Sequence, residues 1–318
     1  MMNPVLRREA ITSLRNRRSF INLTLYVIAI VAVMALFIEM LLMNSRGLLF
    51  DPADVKYSYI ALTGMQIAAI MLSTPALCAG SISGERERQT LDLLLVTDLT
   101  PLEIVMGKLM ASLAMVLLMT LTSLPIYAIC LYFGTLSVLD VLGMMVFFLV
   151  SACAVGSVSI YFSCKIQKTV ISILCVYLLI GLACLGTLIW SVLGIAALQS
   201  NLAPTQSMPA VEPFSLALVA NPALGFFSLI EHQLNMNILS NTLSTIFITA
   251  MGQKIMQHQY LFHLIFDVLV IVLFLFLATR AINPIRRTEK GKHFTEKKRF
   301  TKKEKKNVQQ GQEDSSAQ

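Results

Sequence analysis

Six stretches of this chain, residues 20–43, 57–79, 109–133, 139–164, 170–198 and 260–279, are each long and apolar enough to cross a bilayer as a helix. A helix rising 1.5 Å per residue needs about 20 apolar residues to span the hydrocarbon. Backbone polar groups in that layer find no water, so each stretch must satisfy its own hydrogen bonds. These two facts predict an all-α membrane protein, one six-helix transmembrane domain over residues 20–279. Composition agrees: 14% of residues are charged and the mean hydropathy is +0.72, whereas soluble domains carry roughly 25% charged residues. The first stretch is too long for a signal-peptide core and has no small-residue cleavage site, so it is expected to stay as a signal anchor.

The segments between the stretches set the orientation. With the N-terminus inside, cytoplasmic segments hold 22 Lys or Arg, and outer segments hold three, Arg46, Lys56 and Lys254. This positive-inside asymmetry predicts an even number of spans in the cell (plasma) membrane, with both termini cytoplasmic. The net charge of +7 resides in residues 280–318, where twelve basic residues face five acidic ones; the rest balances at thirteen against thirteen. The basic character therefore belongs to a tail and not to a nucleic-acid-binding face. That tail is polar and Lys-rich, is expected to be mostly disordered, and suits anionic lipid headgroups at about 1 kcal/mol per basic residue.

Residues 1–19 read as an interfacial amphipathic helix. Asn3 can cap it and Pro4 can take its first position. Leu6, Ala10 and Leu14 recur at four-residue spacing, while Arg7, Arg8, Arg15 and Arg18 offer charge to membrane lipids. Residues 199–257 need a different reading. Their apolar run from Phe214 to Ile230 is interrupted at Asn221–Pro222, and a seventh span there would force the basic tail outside. One or two re-entrant or interfacial helices on the outer side are expected, either a plug above a pathway or a packed cap.

The connection 80–108 is too long for a turn and too polar at its start for membrane. Glu85 and Glu87 are read as lying in a first helical turn, where carboxylates meet the positive end of the helix dipole. Leu91, Leu94 and Leu95 follow at i, i+3 and i+4, an apolar stripe. Thr100, Pro101 and Glu103 then form a capping-box signature that opens the run into the third span. A short rigid element between two spanning helices can transmit force.

The run SGERERQTLDLLLVTDLTPLEIVMGK resembles the signature of ABC-2 type permeases, the membrane subunits of a class of ATP-driven exporters. Matching positions are Gly84, Glu85, Arg86, Glu87, Thr90, Leu91, Leu93 to Leu95, Pro101, Gly107 and Lys108, and the opening Asn3–Glu9 is also similar to such permeases. Gln89 stands where the family usually has Gly, and Asp98 where it commonly has Pro. The resemblance implies that this connection is a coupling helix docking on a separate ABC ATPase subunit. Glu85, Arg86, Glu87 and Arg88 then supply polar contacts, Leu91, Leu94 and Leu95 pack against other cytoplasmic helix ends, and Thr90 and Leu91 complete the coupling set. It also implies a second permease, either a homodimer or a related chain, and export by alternating access.

Other residue patterns bound the chemistry. No G-x-x-x-x-G-K-[ST] phosphate loop is present, so no cofactor is expected on this chain and ATP is used by the partner. No H-E-x-x-H occurs, and His232, His258, His263 and His293 lack metal-ligand spacing. The six cysteines fall in or beside apolar runs and read as packing residues. Ionisable residues at membrane depth are costly and mark candidate sites. His263 and Asp267 share one face of the sixth span; they suit a proton-linked pair, a substrate contact, or a hydrogen-bonded packing pair. Glu39 is placed near the outer interface, Asp140 at the start of the fourth span, and Pro75 and Pro125 at kinks. The alternative to a permease is a channel not driven by ATP, or a membrane assembly or sensor protein.

Overall fold

The computed structural model describes residues 17–44, 52–91, 100–132, 136–200, 217–236, 254–255 and 257–282, and every described element is helical. In chain order these are α1 (Arg17–Asn44), α2 (Pro52–Cys78), α3 (Gly80–Glu87), α4 (Pro101–Thr122), α5 (Leu124–Tyr132) and α6 (Val138–Lys165). They continue as α7 (Thr169–Gly181), a π turn (Leu182–Gly186), α8 (Thr187–Ser200), a 3-10 turn (Ala217–Ala220), α9 (Pro222–Leu234) and α10 (Gln259–Ile282). The amphipathic segment with Arg7, Arg8 and Arg15, the stripe residues Leu94 and Leu95, and the basic tail beyond Ile282 lie outside the described residues. Arg18 falls in the first turn of α1, with its side chain outside the described set.

Among the described residues, five helices are long and apolar enough to cross a membrane: Lys56–Glu87, Pro101–Tyr132, Val138–Lys165, Thr169–Gly194 and Gln259–Ile282. α1 runs for 28 residues and adds a shorter apolar part, Leu23–Leu36. Two of the long helices are jointed. α4 gives way to α5 at Ser123, just before Pro125, whose missing N–H breaks the helical ladder. At the joint the Ser123 hydroxyl shares its one hydrogen between Thr120 O at 2.7 Å and Gln66 Oε1 at 3.1 Å. Gln66 also accepts from the Tyr127 hydroxyl, closing a buried polar knot between α2 and α5. The second joint is the π turn between α7 and α8.

α6 is the central helix, packed against α2, α4, α7 and α10. Small buried residues, Ala152, Ala154, Gly156, Ser157 and Ser159, let neighbours approach its backbone closely. At Gly156 a methyl group would stand 2.9 Å from Leu109 Cδ1 and 3.4 Å from Cys78 Sγ. The serines keep their hydroxyls on their own helix, Ser157 donating to Ala154 O and Ser159 to Val155 O. Outward, the apolar part of Thr169–Gly194 is 11% buried, against 61% for Pro101–Tyr132. That difference marks α7–α8 as a rim helix presenting Leu178, Leu185 and Trp190 to its surroundings.

Helix starts carry the caps that their sequences forecast. Thr100 accepts from the Glu103 N–H while Glu103 accepts from the Thr100 N–H at 2.8 Å, with Pro101 at the first position. Ser137 and Asp140 form the same reciprocal box on α6. Asn221 and Pro222 do not interrupt a helix; they open α9 as its cap and first residue. α9 packs at the end of the bundle opposite α3: Gln233 accepts from the Tyr59 hydroxyl near the start of α2 and donates to Asp140 O at the start of α6.

Candidate functional site

The α3 end gathers most of the polar residues of the 80–91 segment. α2 passes into α3 with almost no break, the Ala79 N–H donating to Pro75 O at 2.9 Å. Glu85 and Glu87 therefore occupy the last turn of α3 and not a first turn, which corrects the reading of the sequence. Nothing in Gly80–Ser83 stops the incoming helix, so its positive end lies far away, at the start of α2. The negative end of α3 alone would repel these carboxylates. Two neighbouring helices reverse that.

Glu87 reaches the N-terminus of α7, whose own cap residue, Lys168, makes no side-chain capping bond. The Thr169 N–H donates to Glu87 Oε1 at 2.9 Å and the Thr169 hydroxyl to Oε2 at 3.0 Å. Glu87 thus caps another helix, and its charge meets the positive end of that helix's dipole. The Thr169 N–H and hydroxyl, assisted by the nearby Lys168 charge, hold its carboxyl below the usual carboxylate range against the opposing desolvation. Glu85 pairs with Lys108 of α4, Nζ to Oε1 at 2.8 Å. The Lys108 side chain is 2% exposed and Glu85 27%. Arg86 donates to Cys164 O at the end of α6 at 2.9 Å, and Ser163 Oγ accepts the Ile82 and Ser83 N–H groups at 3.0 and 2.8 Å.

Three consecutive charged residues therefore bind three different helices, α4, α6 and α7. Gly80 permits the approach, a methyl there lying 3.2 Å from Thr169 Cγ2. Beyond Glu87 the chain turns sharply. The Gln89 N–H donates to Arg86 O and the Thr90 N–H to Glu85 O at 2.9 Å, with Gln89 at φ 59°. This is the Schellman helix stop, whose left-handed residue is usually glycine. Arg88, Gln89 and Thr90 are exposed at its tip, and Leu91 returns to the core at 2% exposure.

A second cluster lies within the bundle toward the other end. His263 and Asp267 face each other on α10, Nε2 to Oδ2 at 3.6 Å. His263 Nδ1 is 2.9 Å from Val219 O of the 3-10 turn, and Ser151 of α6 donates to Asp267 Oδ2 at 3.0 Å. One turn earlier, Gln259 donates to Leu218 O at 3.0 Å. The His263 ring lies directly over Gly225 of α9, where a methyl would come within 2.5 Å of it. Phe147 and Phe226 complete the enclosure.

Asn221, fully buried, joins this region to the π turn. Its Oδ1 accepts the Ala223 and Leu224 N–H groups, while its Nδ2 donates to Cys184 O at 2.8 Å and Thr187 Oγ1 at 2.9 Å. A π turn displaces carbonyls from their helical partners, and Asn221 supplies a donor to one of them.

The sequence reading singled out the two ends of this arrangement, the Glu85–Arg88 run and the His263–Asp267 pair. It missed the partners. Lys108 was noted only as part of a motif, and Thr169, Ser163, Ser151, Val219 and Gly225 carried no local signal. Among the described residues, no group of three or more His, Cys, Asp or Glu could hold a metal ion. Comparison with protein-family models and with curated proteins finds no match to this chain.

Proposed function

We propose that this chain is the permease subunit of an ABC-2 type transporter, forming half of a translocation pathway and coupled to a separate ATPase that drives export by alternating access. In this reading α1 is a sixth span, both termini are cytoplasmic, and the α3 end faces the cytoplasm. A second permease, identical or related, completes the pathway, and α9 is the re-entrant segment on the outer side.

The observation that carries the reading is the clasp at the α3 end. A force applied to a loop moves a bundle only if the loop is fastened to several spans at once. Glu85, Arg86 and Glu87 fasten α3 to α4, α6 and α7. The same residues lie in the stretch that resembles the permease signature. Their role here is to hold the shape of the coupling element, while the exposed tip Arg88–Thr90 offers the surface for the ATPase. The positive-inside distribution, 22 basic residues against three, supports the orientation.

The test is affinity purification of the tagged chain from its native membranes in mild detergent. An ATPase subunit is expected to co-purify, and Arg88→Glu is expected to release it without altering the amount of folded permease. Recovery of the chain with no nucleotide-hydrolysing partner would remove the motor and favour a channel or an assembly factor.

A further inference from the structure

The His263–Asp267 cluster has a proton count that its hydrogen bonds fix. The Val219 carbonyl only accepts, so His263 Nδ1, 2.9 Å away, carries a hydrogen and donates. In a neutral imidazole the other nitrogen, Nε2, then presents a lone pair. Nε2 faces Asp267 Oδ2 at 3.6 Å, and Oδ2 already accepts from Ser151. Nε2 has no hydrogen-bond partner although His263 is 1% exposed. Without another proton, a lone pair would confront an ionised carboxylate in a water-excluded part of the bundle, which is strongly unfavourable.

We infer that His263 and Asp267 form a binding site for one proton, held between Nε2 and Oδ2, whose occupancy fastens the Leu218–Val219 turn and α9 onto α10. With the proton in place the pair is neutral overall, whether written as imidazolium and carboxylate or as imidazole and carboxylic acid. Releasing it to water leaves one net negative charge in the cluster. The imidazole can lower that cost by turning a donor toward Asp267, and doing so withdraws the Nδ1 hydrogen from Val219 O. One of the two ties between α10 and the turn, His263 to Val219 O, is then lost, leaving Gln259 to Leu218 O. Two donor atoms are too few for a structural metal site, and a 3.6 Å gap leaves no room for an intervening water.

The surroundings isolate the pair. α6 contributes Ser151 and Phe147, α9 contributes Gly225 and Phe226, and the turn contributes the Val219 carbonyl. Among the described residues the titratable group facing Asp267 is His263, Nε2 to Oδ2 at 3.6 Å. On α6, Cys153, two residues beyond Ser151, is a free thiol. On α9, His232 packs against Tyr260 with ring centroids 4.9 Å apart, and Glu231 lies about 9 Å along the helix from Gly225 by its rise. On α4, Glu103 and Lys108 are at the α3 end.

The readout combines hydrogen exchange of the peptide covering 217–234 with infrared difference spectra of carboxylic-acid protonation, on the full chain in lipid nanodiscs across a pH series. Wild type is expected to show one cooperative step, in which loss of one carboxylic or imidazolium proton coincides with at least a tenfold loss of exchange protection in 217–234. Asp267→Asn, whose amide can donate permanently to Nε2, should keep the segment protected at every pH with the step gone. Ser151→Ala, which removes a donor to the carboxylate, should move the step to higher pH and so tests the site even if Asp267→Asn misfolds. Protection that is independent of pH in wild type, a proton step without a change in protection, or an unchanged step in either variant would overturn the inference.

Discussion

Removing one member of the Glu85–Lys108 pair should cost unequal amounts depending on which member is removed. Lys108 is the deeper partner, 2% exposed against 27% for Glu85. Glu85→Gln replaces the carboxylate beside the buried ammonium with a neutral amide, and weakening the pairing of a buried charge costs up to roughly 3–5 kcal/mol. Discounting for the access water has through the Glu85 side, about 3 kcal/mol is expected. Lys108→Met leaves the carboxylate, which can turn to solvent, and the methionine stem keeps the packing; about 1 kcal/mol is expected, as for a partly exposed pair. The double variant Glu85→Gln/Lys108→Met carries no buried charge and should fall close to Lys108→Met, giving a coupling energy of about 2–3 kcal/mol, within the range seen for contacting residues. Thermal unfolding of the detergent-purified chain, followed through its single tryptophan, Trp190, measures all four corners. A Lys108→Met loss equal to or larger than that of Glu85→Gln would refute the reasoning, and so would strictly additive single effects.

Gln89→Gly should stabilise the chain by about 1 kcal/mol, because a non-glycine residue at φ 59° carries a steric cost that glycine lacks; a lower Tm would contradict this. Gly225→Ala should destabilise by about 1–3 kcal/mol, since the methyl would meet the rigid His263 ring at 2.5 Å, and it should shift the His263 ring resonances in an NMR spectrum. Glu87 ionises more readily in the folded chain than in the unfolded one, because Thr169 bonds its carboxylate. Its contribution is therefore complete above the unfolded-state value and is lost as pH falls through the lower folded value. Between neutral and acidic pH the Tm of wild type should fall more steeply than that of Glu87→Gln, and equal slopes would argue against the interhelix cap.

The residues that read correctly were those whose partners are close in sequence. Thr100 and Glu103 are three apart and close their box with no help from the rest of the fold; Asp140 read as standing at a helix start, and the structure adds its partner Ser137, three residues before it. His263 and Asp267, four apart on one helix, were likewise visible as a pair. Asn221–Pro222 was legible as a boundary but ambiguous in sense, since the dipeptide that ends one element also caps and opens the next. Glu85 and Glu87 were misplaced because a polar run leaving a span looks like a new helix start. The chain instead continues helical through Gly80 and draws its compensating charges from Lys108 and the α7 terminus, 23 and 82 residues away. The π turn had no signal at all, because its stabilising donor, Asn221, comes from a segment 37 residues downstream of Cys184.

The most direct test of the account places a photo-crosslinking amino acid at Arg88 in the exposed tip, activates it in intact native membranes, and identifies the captured protein by mass spectrometry. The proposed coupling role predicts an ABC ATPase subunit captured at Arg88 and absent when the same group is placed at Leu224 of α9. Capture of only lipid or of a protein without a nucleotide-binding domain, or the same partners at both positions, would contradict it.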